Sequence, residues 1–280
     1  MIAPSLVNKA MTSTFRELVV VIALTCVSIG TLVVAGSMGW RGTPDPCVVG
    51  DQCFCERDRG GLIRTPANTL SNFGFVAAGL GVATILGVER RRGRHPRRGN
   101  LMTETDFYPG FYACIVAFLG PASMALHGSL MSWGGVIDIV SMNFFIGFVL
   151  MYALQRLRGF GRSTFLAGWL AINAVLLALK LTIGRGSEAF GVVAVLALAV
   201  ELRIRATQPV QAAGGWLAAC AACFLLAFAI WLASHNGGPL CSPESLWQGH
   251  AAWHFLCAAA TLALYQYARS EKHAAGTSDG

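Results

Sequence analysis

The chain has 280 residues, of which 55% are hydrophobic and only 12% charged, and its formal net charge is +7. Average soluble chains carry roughly 25% charged residues, so this composition excludes a soluble enzyme, a disordered chain and a fibre. The basic residues fall in loops, where they read as a topology signal, and no nucleic-acid partner is expected.

A bilayer span takes about 20 apolar residues, and continuous apolar runs read as helices rather than as barrel strands. Spans are predicted at 18–37, 69–88, 108–128, 134–154, 164–182, 187–203, 215–234 and 248–268. The expected fold class is all-α, a polytopic membrane helical bundle. It has a seven-helix core plus an extra N-terminal span, eight in total. Residues 1–37 form the N-terminal tail and first span, 38–270 the seven-helix domain, and 271–280 a loose polar tail. The first span reads as an uncleaved anchor, with cleavage after Val33-Val34-Ala35 as the competing reading. The 187–203 span is the weakest, because Glu201 and Arg203 crowd its end.

Orientation follows from Lys and Arg on alternate sides. Fifteen of the 21 fall on the side holding Lys9, Arg16, the 90–98 loop (with Arg94, Arg97 and Arg98), Arg156 and Arg269. That side is expected to be cytoplasmic, with both termini inside. The basic inner loop would also suit anionic lipid. The Ala- and Arg-rich composition fits a bacterial inner membrane.

Five of the nine cysteines, Cys26, Cys114, Cys220, Cys223 and Cys257, fall in spans and read as small apolar residues. Cys47, Cys53, Cys55 and Cys241 fall in outer loops, where three pairings are open. Cys55–Cys241 is the expected pair, because it ties the 38–68 segment to the loop before the last span. Cys53-Phe54-Cys55 lacks the second thiolate pair of a zinc finger.

Four ionisable residues sit inside spans: His127, Asp138, His250 and His254. Such residues are costly in lipid and mark function by default. All four lie near the outer ends of their helices, at one depth. Ser123 and His127 are four apart and share a helix face, as do His250 and His254. Three imidazoles with an open fourth position form the ligand set of catalytic Zn2+. The motif His250-Ala-Ala-Trp-His254 carries no glutamate, so a base must come from another helix, and Asp138 is at the right depth. Ser123 could donate to a developing oxyanion. The competing readings are packing histidines, bis-histidine haem ligation, and Asp138 as a charge at a helix N-terminus.

The pattern Ser123-Met-Ala-Leu-His127, Asp138 eleven residues on, and His250-Ala-Ala-Trp-His254 resembles the alkaline ceramidase family, within the CREST group of membrane hydrolases. Cys55-Glu56 followed by Asn68-Thr69-Leu70-Ser71-Asn72 matches a second block of that family, and the resemblance covers about residues 50–270. It implies a seven-helix bundle with zinc on His127, His250 and His254. It implies Asp138 handling the water proton and Ser123 assisting at the carbonyl. The implied reaction is hydrolysis of a membrane lipid amide, ceramide or a relative, to a long-chain base and a fatty acid. In eukaryotic members the Cys-Glu region holds Ca2+. Here Asp51, Glu56 and Asp58 could offer oxygens, but Asp58 replaces an Asn, Thr65 stands about where an acid would be, and Phe54 replaces a Trp. The competing reading pairs Glu56 and Asp58 with Arg57, Arg59 or Arg64, and has Asn68 and Ser71 cap and turn the chain into its helix. Two alternatives to an amidase stay open. One is a hydrolase of another N-acyl or ester lipid with the same site. The other is a heptahelical receptor or carrier with a structural metal. A structural zinc would normally take a fourth protein ligand, and a carrier would show paired broken helices.

Overall fold

A computed structural model describes residues 14–50, 54–93 and 99–273. Lys9, Asp51, Cys53, Arg94, Arg97, Arg98 and the tail from residue 274 lie outside the described residues. Among the latter, eight long helices follow one another: α1 Arg16–Ser37, α4 Phe73–Arg91, α6 Phe107–Ser129, α7 Ser132–Arg158, α8 Arg162–Ile183, α9 Gly186–Thr207, α10 Gly214–Ala233 and α11 Gly249–Ser270. Short helices α2 Pro46–Val49, α3 Pro66–Leu70 and α5 Leu101–Glu104 lie between them. A two-residue ribbon pairs β1 Val210–Gln211 with β2 Lys272–His273, antiparallel.

Each predicted span falls on one of the long helices. Six stretches are long and apolar enough to cross a bilayer, with α3 and α4 counting as one, Pro66–Arg91. The chain is an all-α integral membrane protein. The two long helices outside that set are α9, whose last turns carry Glu201, Arg203 and Arg205, and α11, which carries the histidine pair.

Helix α6 is the central element, buried along most of its length, whereas α1, α8 and α10 turn mostly apolar side chains outward. Helix α4 packs against both α6 and α11. Close approach depends on glycine: a Cβ at Gly79 would lie 2.6 Å from the Ala113 carbonyl oxygen and from Ala117, and one at Gly120 would lie 2.7 Å from Val76. Small residues let backbones meet where lipid gives no hydrophobic drive to association. The turn from α6 into α7 is short. Leu130 adopts φ 54°, in the left-handed region, and its amide donates to the Leu126 carbonyl. This turn sets the last residues of α6 beside the first of α7, where a Cβ at Gly134 would meet the Ala125 carbonyl at 2.5 Å.

At the other end of the bundle a buried ionic network joins three helices. Arg156 pairs with Glu201 at 2.5 Å and with Glu271, and the Tyr267 hydroxyl donates to Glu201. Asn100 Nδ2 donates to the carbonyls of Ala268 and Glu271. The chain after Ser270, expected to be loose, is therefore pinned through residue 273. Glu271 is buried against Arg156, and β2 holds the ribbon. Glu201, the residue that weakened the 187–203 span, is also explained, because its charge is paired inside the protein rather than facing lipid.

Removing one member of a buried ion pair leaves an uncompensated charge and costs about 3–5 kcal/mol. Arg156→Ala leaves two carboxylates without their cation and should cost that much. Glu271→Ala, which leaves Arg156 still paired with Glu201, should cost less. Reversible unfolding in mixed micelles measures both, and equal losses would refute this account of the network.

Candidate metal centre

His127 lies in the last turns of α6, and His250 and His254 occupy the first two turns of α11. All three are buried, and one ligand nitrogen from each lies within 4.8 Å of the others. The Nε2 atoms of His127 and His250 are 3.2 Å apart. Metal–nitrogen bonds of 2.0–2.1 Å at tetrahedral angles separate two ligand nitrogens by roughly 3.3 Å, so the pair fits a shared ion. His254 uses Nδ1 on the Ser71 hydroxyl at 2.7 Å, which leaves Nε2 as its open nitrogen. The residues present therefore fit a three-nitrogen metal site with room for an outside ligand. A haem plane would have to pass between two trans imidazoles. Here the His127 and His250 Nε2 atoms are 3.2 Å apart, with the His254 ring and the Phe54 ring close against them.

Asp138 is on the second turn of α7 and does not belong to the three-ligand group. Its carboxyl faces the Ser123 hydroxyl across the α6–α7 interface, and Asp45 and Lys180 are charged neighbours. Ser123 is one turn before His127 on α6. The structure thus brings the three histidines together and sets Asp138 beside Ser123, outside the three-ligand group.

A strap of residues 54–65 crosses this end. Phe54 stacks on the His250 ring, centroids 3.6 Å apart, and lies 4.9 Å from the His127 ring. Its backbone forms an isolated bridge with His235. Cys55 and Cys241 form a disulfide, Arg57 donates its amide to the Pro243 carbonyl, and its guanidinium pairs with Glu244 at 2.5 Å. Cys47 is disulfide-bonded as well. On the opposite side, the Thr65 amide and hydroxyl both donate to the His127 carbonyl, at 3.2 and 2.7 Å. A cavity of about 410 Å³ opens between strap and loop past Asn236 and Gly237, and His127 and Asn68 are among its lining residues.

The carboxylates considered for calcium are used otherwise. Both Glu56 oxygens accept backbone amides at the start of α3, from Ala67 at 2.8 Å and from Asn68 at 2.7 Å. Glu56 pairs with no arginine in these contacts and caps α3 from eleven residues away, the task assigned in the sequence reading to Asn68 and Ser71. Asp58 is held by the Arg64 guanidinium and the Gly60 amide. Burial works against its charged form, but those two donors outweigh burial and hold its carboxyl below the usual range. Asp51 lies outside the described residues. The described carboxylates do not converge on a calcium site.

Three contacts have no counterpart in the sequence reading: Phe54 over the histidines, Glu56 on α3, and Ser71 on His254. The signal available was adjacency, since Phe54 and Glu56 flank Cys55, and Ser71 belongs to the quoted Asn-Thr-Leu-Ser-Asn block. The class defined so far is an integral membrane protein with a buried three-histidine group able to hold a metal ion. No protein-family model matches the chain, and no curated protein sequence matches it.

Charge-assisted hydrogen bonds to a buried carboxylate contribute about 1.5–3 kcal/mol each in mutational series. Glu56→Ala should therefore destabilise the protein by about 2 kcal/mol or more. Excess calcium should leave the wild-type melting temperature where calcium-free buffer leaves it. A calcium-dependent rise would show that Glu56 and Asp58 exchange their present partners for the ion.

Proposed function

We propose that the chain is a membrane-embedded, zinc-dependent lipid amide hydrolase. Its reaction would be cleavage of the N-acyl bond of ceramide or a ceramide-like lipid to a long-chain base and a fatty acid. The single observation that carries the reading is the juxtaposition of the buried trio His127, His250 and His254 with the Asp138–Ser123 pair at the same end of two antiparallel neighbours. The resemblance of the motif spacing to the alkaline ceramidases supplies the substrate class.

A zinc ion on the trio would supply a polarised carbonyl and an acidified water at neutral pH. The Asp138 carboxylate, on another helix, would take the proton of the attacking water and return it to the leaving nitrogen. The Ser123 hydroxyl has one hydrogen, which faces that carboxylate in the resting site and would turn to donate toward the carbonyl oxygen as charge develops. The Phe54 ring, stacked on His250, walls the site on the strap side and limits bulk water there. The acyl chain, left among apolar helix faces, contributes binding at about 0.8 kcal/mol per buried CH₂. The Cys55–Cys241 disulfide supports an oxidising compartment on the strap side, which agrees with a cytoplasmic location of both termini and a site toward the outer face.

Elemental analysis of the purified protein in detergent tests the metal. The wild type should carry about one zinc per chain, and His250→Ala should lose it together with activity. Asp138→Asn should keep the zinc and lose turnover by about 10²-fold or more on a panel of N-acyl and ester lipids. An Asp138→Asn variant of undiminished activity would remove Asp138 from the mechanism. Faster cleavage of esters than of amides would redirect the substrate class.

A further inference from the structure

Ser71 stands at the turn between α3 and α4, and its hydroxyl meets His254 Nδ1 across 183 residues of sequence. It is buried, 3% exposed. A serine hydroxyl has one hydrogen to give and two lone pairs to accept with. The Asn68 carbonyl oxygen, 3.0 Å away, is an acceptor for that hydrogen. Toward His254 the hydroxyl oxygen is then an acceptor, so the imidazole is the donor. A neutral imidazole carries one N–H. With that hydrogen on Nδ1, Nε2 is left with its lone pair free.

We propose that Ser71 is a positioning residue that holds His254 in the Nδ1–H tautomer, aims its Nε2 lone pair at His127 and His250, and thereby sets the zinc affinity of the trio. This inference rests on the reading of the trio as a metal site. The asymmetry of the trio supports it. The Nδ1 atoms of His127 and His250 are buried with no protein hydrogen-bond partner, so His254 is the histidine whose tautomer the protein itself fixes. The support beneath Ser71 is stiff. Asn72 Nδ2 donates to the same Asn68 carbonyl at 2.8 Å, and the Asn68 amide is held by Glu56. Glu56 in turn follows the disulfide-bonded Cys55. A chain of contacts thus runs from the strap to one ligand of the metal.

Loss of an outer-shell partner of a metal-bound histidine weakens metal binding by about 10–100-fold. The test is a zinc titration of the full-length protein in detergent, in competition with a chromophoric chelator. Ser71→Ala should weaken zinc binding within that range while the melting temperature of the metal-free protein stays close to wild type. Ser71→Thr, which keeps the hydroxyl, should restore most of the affinity. Nitrogen-15 spectra of histidine-labelled metal-free protein should place the His254 proton on Nδ1 in the wild type and show a tautomer mixture in Ser71→Ala. Equal affinity for wild type and Ser71→Ala overturns the inference alone. So does an equal fall in Ser71→Ala and Ser71→Thr, which would mark a packing role. A wild type that binds no zinc overturns the metal reading and this inference together.

Discussion

Helix α4 and the turn that precedes it stand between α6 and α11, and the histidine cluster exists because of that spacing. His127 belongs to α6 and the other two histidines to α11, yet the packing of both helices runs through α4. Gly79 and Gly120 bring the α4 and α6 backbones to a separation that no side chain would permit. In lipid, where apolar surface gains nothing by leaving its surroundings, such backbone contact is the main source of specific helix association. A helix pair held at that distance cannot slide by a fraction of a turn, so nitrogens on different helices can be kept within 4.8 Å of each other.

The strap supplies the second constraint. It is anchored on one side by the Cys55–Cys241 disulfide and the Arg57–Glu244 pair, and on the other by the Thr65 and Arg64 bonds to the end of α6. Between Cys55 and Arg57 it carries Glu56, whose carboxylate fixes the first turn of α3. The exposed Arg57–Glu244 pair is screened by solvent and contributes little by itself. The disulfide and the buried Glu56 contacts matter more, because they are made by groups that cannot exchange their partners for water. Phe54 is then held over His250 by covalent neighbours rather than by its own packing.

Most of the fold was legible in the sequence, because eight apolar runs in a chain with 12% charge leave few alternatives. The convergence of His127, His250 and His254 was legible too, since helix period and alternating topology fix both face and depth. What was not legible is the set of contacts between segments far apart in sequence. Ser71 and His254 are separated by 183 residues, and no local pattern distinguishes a serine that turns the chain from one that holds an imidazole. Glu56 read as an ion ligand or as an arginine partner in a surface segment. Its use as a distant cap required knowing that α3 begins beside it. The pinned tail was missed for the same reason. Glu271 looks like a solvated end residue until Arg156 is found beside it.

Both ends of the bundle bury polar atoms without a hydrogen-bond partner, Gln155 Oε1 and Arg156 Nε among them at one end, and the setting of those at the other end is distinct. At the end with Arg156, Glu201 and Glu271, opposite charges meet inside the protein and lock three helices. At the histidine end, polar capacity is left over: His127 Nδ1, His250 Nδ1, both amide atoms of Asn68 and Asn72 Oδ1 are buried without a protein partner. Each such atom costs about 1–3 kcal/mol if nothing else satisfies it. A fold that merely needed a stable core would replace these groups with apolar ones at little loss. Their presence around three converging imidazoles, under a covalently fastened strap, is the arrangement expected where buried ionisable groups are able to hold a metal ion.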